Sequence, residues 1–217
     1  MDIKTIIFDL DGTLYELKGG SFIKSGIYGE MIQNTILFIS SRLGINLQQA
    51  TDTLTSIRKI YGNEISIGIE VVLRLDRLEY FNFAWDIDPS QYVQYEPKLA
   101  DMLSRLSQDY QLIVLTDAPR VWAKNVLALL GLTDIFKGNA YTGESDVRKS
   151  NGTAHAQLVK KLKLKAENCI FVGDEVTDDL LPAKNLGMTT VLVSGKKAGH
   201  LNVDYQVKSI LQLANIL

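Results

Sequence analysis

The sequence predicts an α/β protein: a mostly parallel sheet with a block of helices inserted after its first strand. Three observations carry that reading. Four short runs rich in apolar and β-branched residues, 3–9, 111–116, 169–174 and 189–194, read as strands buried on both faces. Helical patterns separate the later runs, giving the strand–helix alternation of a sheet with right-handed crossovers. The segment 16–95 breaks this alternation: it contains helical periodicity and no buried-strand run.

In order along the chain, Ile6, Ile7 and Phe8 form the first apolar run, which stops at Asp9. Ile32, Ile36, Ile39 and Leu43 then line one helical face, and Gly44 ends that helix. Asn46 with Gln49 reads as a capping pair for a second helix with Leu47, Ala50, Leu54 and Ile57 on its face. A third helical region is expected near 69–78. Gly19-Gly20 and the Asp88-Pro89 turn suit hinges, so the insertion is bounded near 14–20 and 88–97. The expected organisation is a core of 1–15 and 96–217 and a helical bundle of 16–95.

Beyond the insertion, Leu99, Met102, Leu103 and Leu106 repeat at helical spacing before the run QLIVLT. Trp122, Val126, Leu129 and Leu130 form the next helix, closed by Gly131. A further helix, 154–162, follows an Asn151-Gly152 turn and precedes CIFVGD. Ala183 and Leu186, with Gly187 after them, precede the last run, TTVLVS. The chain shows no internal repeat and no low-complexity tract.

Composition narrows the function classes. Among 217 residues, 23 Lys and Arg stand against 25 Asp and Glu, a formal charge of −2. No basic excess exists to release counterions from a nucleic-acid polymer. A single cysteine, Cys169, excludes an intrachain disulfide and speaks against a cysteine-rich zinc site; its place in an apolar run makes it a small core residue. No stretch reaches the roughly 18 apolar residues of a membrane span. The opening MDIKTIIFDLDG lacks the pattern of a signal peptide, so the expected address is the cytoplasm. A monomer or a small homo-oligomer is expected.

The residues suited to chemistry sit at strand ends, where open α/β sheets bind ligands. Asp9-Leu10-Asp11-Gly12-Thr13 follows the first run. Two carboxylates this close repel unless a cation or proton separates them; the bland alternative is an Asp-Gly turn. Thr116 ends the second run, with Asp117 and Ala118 after it. Asp174 ends the third and is followed by Asp178 and Asp179 in the first turn of a helix, where carboxylates also serve as ordinary caps. Lys149 taken alone reads as a solvated lysine. A hydroxyl, a lysine and acidic groups on separate ends of one sheet form a pattern that coincidence explains poorly.

On these residues the sequence resembles the haloacid dehalogenase superfamily, whose members are mostly phosphatases. Asp9 to Thr13 matches its first motif, Thr116 its second, Lys149 its third, and Gly173-Asp174 with Asp179 its fourth. The helical insertion is similar to a C1-type cap, and the resemblance implies a Rossmann-like core. Two departures stand out: Ser150 follows the lysine where Pro is usual, and Asp117 follows Thr116 where Asn is common. Arg148 is the alternative for the third-motif cation.

The resemblance implies roles. Asp9 is the nucleophile, forming an aspartyl phosphate, and Asp11 is the general acid and base. Mg²⁺ is bound by Asp9, Asp174 and the backbone carbonyl of Asp11, with Asp179 in or near its second shell of ligands. Lys149 pairs with the nucleophile and the phosphoryl oxygens. Thr116 and backbone N–H groups hold the phosphate, and Gly12, Asp117 and Lys149 are counted with Thr116 as substrate-binding residues. Family members that release halide generally lack the acid at the position of Asp11, so its presence favours phosphoryl chemistry.

The expected function is a Mg²⁺-dependent phosphatase acting on a small phosphorylated metabolite, a nucleoside monophosphate or a sugar phosphate. A phosphoglucomutase-like transferase and a non-catalytic phosphometabolite-binding module are the alternatives. Leu14-Tyr15 and Ile60-Tyr61-Gly62 look similar to pyrimidine 5′-nucleotidase-like members. Tyr15 reads equally as a ring-stacking or a hinge-packing residue. Arg58, Lys59, Arg74 and Arg77 read as surface charges sooner than as contacts to an anionic leaving group. His155 and His200 are read as surface residues. Neither Gly-x-Gly-x-x-Gly nor a P-loop occurs, which disfavours a nucleotide-cofactor enzyme.

Overall fold

The fold is seen in a computed structural model, which describes residues 2–145, 147–149, 152–196 and 202–217. Its centre is a parallel sheet of six strands. These are β1 (Thr5–Phe8), β2 (Gln111–Leu115), β3 (Ala140–Tyr141), β4 (Cys169–Gly173), β5 (Thr189–Val193) and β6 (Tyr205–Val207). Their order across the sheet is β3-β2-β1-β4-β5-β6. The central strand β1 pairs with β2 on one side and β4 on the other. Ile6, Ile7 and Phe8 are therefore covered on both faces and have no exposed surface. Each contributes about 2 kcal/mol by leaving water.

Alternation along the strand splits the core into two layers. Ile6 and Phe8 face the layer that holds α5 (Pro97–Leu106) and α6 (Arg120–Leu129). Ile7 faces the layer of α7 (Thr153–Leu162) and α8 (Leu181–Asn185), with Leu158, Leu180 and Ala183 against it. The chain moves outward from β1 to β2 and β3, then returns past β1 to β4. That reversal opens a crevice at the carboxyl ends of β1, β2 and β4, the usual ligand position in such sheets.

The four runs expected as strands are strands, trimmed by one or two residues at their ends. β3 and β6 were not anticipated. They are edge strands of two and three residues, too short to carry an apolar run.

Four helices lie within 16–95: α1 (Gly26–Leu43), α2 (Leu47–Tyr61), α3 (Ile65–Leu73) and α4 (Arg77–Ala84). Asn46 and Gln49 form the expected capping box on α2. Ala50, Leu54 and Ile57 are buried, but Leu47 is 55% exposed because it lies in the first turn, beyond its neighbours' reach. The buried face of α1 also differs from expectation. It is Ile27, Met31, Thr35, Phe38 and Ile39, while Ile32 and Ile36 are half-buried and Leu43 is exposed. Packing against α4, with Tyr80 touching both Thr35 and Phe38, rotates the helix away from its most aliphatic stripe. The helix expected near 69–78 is two helices. Arg74 adopts a left-handed conformation after α3, and Asp76 caps α4 by accepting from the Glu79 N–H.

His155 corrects the surface reading. It is fully buried in α7, its ring 4.7 Å from that of Phe171. Its environment holds the imidazole neutral: burial pushes it down to about 4, and the nearby Lys149 charge pushes the same way. Ser150, Asn151 and His200 lie outside the described residues. No helix among the described residues is long and apolar enough to cross a membrane.

Candidate active site

The loop leaving β1 turns sharply at Gly12, whose φ of 92° favours glycine. A Cβ there would overlap the Asp174 carboxylate, so the missing side chain is also what lets β4's end approach the loop. Asp9 is buried at the end of β1, its N–H still bonded to the Val172 carbonyl at 2.9 Å. Strand pairing thus fixes the backbone of Asp9 and aims its side chain into the crevice. Thr13, also buried, donates towards Asp9 Oδ2 at 3.2 Å and Asp174 Oδ1 at 3.4 Å.

Lys149 reaches this point from the other side. Its buried ammonium bonds Asp9 Oδ1 and, at 2.7 Å, Asp179 Oδ1. Lys149, not Arg148, is the cation at the centre. Arg148 instead lies 3.6 Å from Glu64 and donates to the Asp117 carbonyl at 3.5 Å. Asp117 turns its side chain to the loop: Oδ1 accepts the Lys149 N–H at 2.7 Å. The acid after Thr116 therefore anchors the backbone that presents the lysine, although it also borders the cavity.

After β4, a single wide turn, Val176–Leu180, places Asp179 inward and buried, while Asp178 remains half-buried. Asp179 Oδ2 accepts the Glu175 N–H at 3.2 Å. Thr116 is buried at the end of β2, and its Oγ accepts the Ala118 N–H at 3.0 Å. Asp9, Asp11, Thr116, Asp117, Lys149, Asp174 and Asp179 all border one cavity of about 400 Å³. Gly12 shapes its edge through Asp174.

Asp11 is held differently from Asp9. Its Oδ1 accepts from Trp122 Nε1 at 2.7 Å and from the Tyr15 hydroxyl. Tyr15 and Trp122 are buried and hold one oxygen of that carboxyl. Burial pushes Asp11 up to about 6, with the Asp9 charge adding to it.

The electrostatics of the other acids follow from crowding. Burial pushes Asp9 up to about 6, opposed by Lys149 and reinforced by Asp179. Asp174 is pushed up to about 8 by burial and then by Asp9 and Asp179. Burial also raises Asp179, against the pull of Lys149. Burial disfavours the Lys149 charge, but Asp9 and Asp179 hold its proton firmly. One oxygen from each of Asp9, Asp174 and Asp179 lies within 4.8 Å of the other two. Buried Asp9 and Asp179 and half-buried Asp174 gather around one ammonium, which bonds only the first two, so negative charge remains uncompensated. A hard divalent cation of the Mg²⁺ kind fits an all-oxygen set of this sort.

The cavity also has walls that sequence reading did not find. Phe22, Asn63, Glu64 and Trp85 border it from the inserted segment. Phe22 and Trp85 stack, with ring centroids 5.5 Å apart and planes 4° from parallel. They stand 63 residues apart in a region without strands, so no local pattern pairs them. Trp122 was read only as part of a helical apolar face. The short spacing from Asp11 to Tyr15 was a usable signal for that contact; nothing local linked Trp122 to Asp11. Arg58 is directed elsewhere, donating to the Tyr28 hydroxyl at 2.8 Å.

Comparisons with known proteins agree with this architecture. A glyceraldehyde 3-phosphate phosphatase from Pyrococcus furiosus is 26% identical over 212 residues, covering 94% of this chain and 86% of that protein. A phosphoglycolate phosphatase from Vibrio parahaemolyticus is 24% identical, covering 100% of this chain and 96% of that one. Two solved structures share the fold. A phosphatase from Thermococcus onnurineus superposes with a TM-score of 0.63 at 22% identity, covering 99% and 97% of the two chains. A 2-haloacid dehalogenase from Pseudomonas syringae gives 0.67 at 20% identity, with the same coverage. The family model for haloacid dehalogenase-like hydrolases matches residues 3–187. With its strand-end acids gathered on that fold, the chain belongs to the haloacid dehalogenase-like hydrolase family.

Proposed function

We propose that this hydrolase is a Mg²⁺-dependent phosphatase that cleaves small phosphomonoesters through an aspartyl phosphate on Asp9. The observation that carries the reading is the pairing of two unlike carboxyls in one loop. Asp9 lies among acids and Lys149, whereas Asp11 is clamped by Tyr15 and Trp122 away from Lys149. One is placed to attack and the other to move a proton. The inserted segment 16–95 serves as a cap over the core of 1–15 and 96–217. The relatives named as glyceraldehyde 3-phosphate and phosphoglycolate phosphatases support a short phosphorylated metabolite as substrate over a nucleotide.

In the first half-reaction an Asp9 carboxylate oxygen attacks phosphorus, and the bond from phosphorus to the ester oxygen breaks. Asp11 gives its proton to the departing alkoxide. In the second, Asp11 accepts a proton from water as the water oxygen attacks phosphorus. The aspartyl bond breaks and Asp9 and inorganic phosphate are restored. Lys149 neutralises charge between Asp9 and Asp179, and the Thr116 hydroxyl and neighbouring N–H groups hold the non-reacting phosphate oxygens. Asp9, Asp174 and the Asp11 carbonyl would hold Mg²⁺, with Asp179 close by; when bound, the ion offsets the repulsion between anionic nucleophile and phosphate.

Phosphate release from a panel of phosphomonoesters, p-nitrophenyl phosphate included, tests the proposal. Release with Mg²⁺ that EDTA abolishes and added Mg²⁺ restores is the expected result. No release from any ester with the ion present overturns it.

Gly12→Ala should be costly in two ways. Its positive φ imposes about 1–3 kcal/mol of backbone strain. Its Cβ also displaces the Asp174 carboxylate, and misplacement of that size costs about a hundredfold in rate. Denaturant unfolding and phosphate release measure the two effects. Wild-type values in both would remove the close-approach argument.

A further inference from the structure

The charge arrangement around the cavity bears on what the ester carries besides phosphate, and the inference rests on the phosphatase reading above. Among the described residues bordering the cavity are eight carboxylates, Asp9, Asp11, Glu64, Asp117, Asp174, Glu175, Asp178 and Asp179, and two cations, Arg148 and Lys149. Both cations are already engaged. Lys149 lies between Asp9 and Asp179. Arg148 lies between the Glu64 carboxylate and the Asp117 carbonyl.

A divalent cation and a phosphate dianion cancel each other, so they leave this balance unchanged. A second anionic group on the alcohol would meet Glu64 with no uncommitted cation to receive it. Like charges brought together in a binding site repel strongly in close contact, and less where solvent screens them. Glu64 is about half exposed, which places its effect at the screened end of that range. The rest of the wall that the inserted segment supplies is neutral: the stacked Phe22 and Trp85 offer a flat apolar surface, and Asn63 offers both a donor and an acceptor.

We propose that the site selects phosphomonoesters of short, uncharged, hydroxyl-bearing alcohols, and that Glu64 sets this selection by occupying Arg148 and rejecting a second anion. Glu64 comes from the turn between α2 and α3, Arg148 from the loop carrying Lys149. The pair thus spans the inserted segment and the sheet at the cavity where the alcohol must sit. Glu64 precedes α3, but its side chain makes no capping hydrogen bond, so its replacement leaves that helix start intact.

Glycerol 3-phosphate and 3-phosphoglycerate form a matched pair, differing by a hydroxymethyl group against a carboxylate. Each is measured by phosphate release and as a competitor of p-nitrophenyl phosphate hydrolysis, which reports affinity even without turnover. The wild type should favour the uncharged member by about tenfold or more. Glu64→Gln should narrow that ratio at least about fivefold, mainly by improving the carboxylate ester as Arg148 is released. A wild-type ratio near one or reversed, or a ratio that Glu64→Gln leaves unchanged, overturns the proposal. Failure to hydrolyse p-nitrophenyl phosphate would instead strike the phosphatase reading itself. A Glu64→Gln protein that melts like the wild type shows that the change lies in selection and not in folding.

Discussion

Asp9→Asn should reduce phosphate release by about four orders of magnitude or more, to background in a standard assay, because the amide is a poor nucleophile for phosphorus. The replacement has nearly the same shape, so the buried space at the end of β1 stays filled. Lys149 keeps its 2.7 Å bond to Asp179 and is not left as an unpaired buried charge. Removing one of three crowded carboxylates also relieves the repulsion that raises Asp174. Thermal stability should therefore hold or increase while activity vanishes. The two measurements separate a lost nucleophile from a lost fold. Substantial turnover in a folded Asp9→Asn protein would dismiss the nucleophile assignment.

Asp11→Asn should act selectively. Proton donation by a placed acid contributes about a hundredfold to ten-thousandfold for an alkoxide leaving group. An activated aryl phosphate departs without that proton, so its first step should lose far less. The geometry supports this division. Trp122 Nε1 and the Tyr15 hydroxyl both donate to Oδ1, which leaves Oδ2 as the oxygen to carry the mobile proton. The measurement is kcat/KM for an alkyl and an aryl ester in the wild type and the variant. Equal losses on the two esters would count against the proton-donor role and favour a purely positional one.

The parts of this fold that were legible share a physical origin. β1, β2, β4 and β5 lie inside the sheet or directly against its centre, where burial on both faces demands an unbroken apolar run. Such runs are visible without coordinates. β3 and β6 sit at the edges and needed only a few backbone bonds to a neighbour, a requirement that almost any residue meets. The capping box of α2 was readable because all its partners lie within four residues. The buried face of α1 was not, because it was chosen by Tyr80 on another helix.

His155 shows the same distinction in one residue. Its type suggests a surface, yet its position on α7 faces the layer beneath β4 and so places it against Phe171. Asp117 is a departure from the family pattern whose use became clear only when its carboxylate was found on the Lys149 N–H.

The linear chain thus determined the strand ends and the chemical types standing there: two acids and a glycine after β1, a threonine after β2, a glycine closing β4 and acids after it. Those are consequences of local covalent order and of burial in a parallel sheet. Tertiary structure alone decided which partners those groups meet. It set Lys149 between Asp9 and Asp179, Trp122 on Asp11, and Glu64 with Arg148 beside the stacked Phe22 and Trp85. Charge and hydrogen-bond energies depend on separations of a few ångströms, and residues up to 161 positions apart acquire those separations only when the sheet closes its crevice.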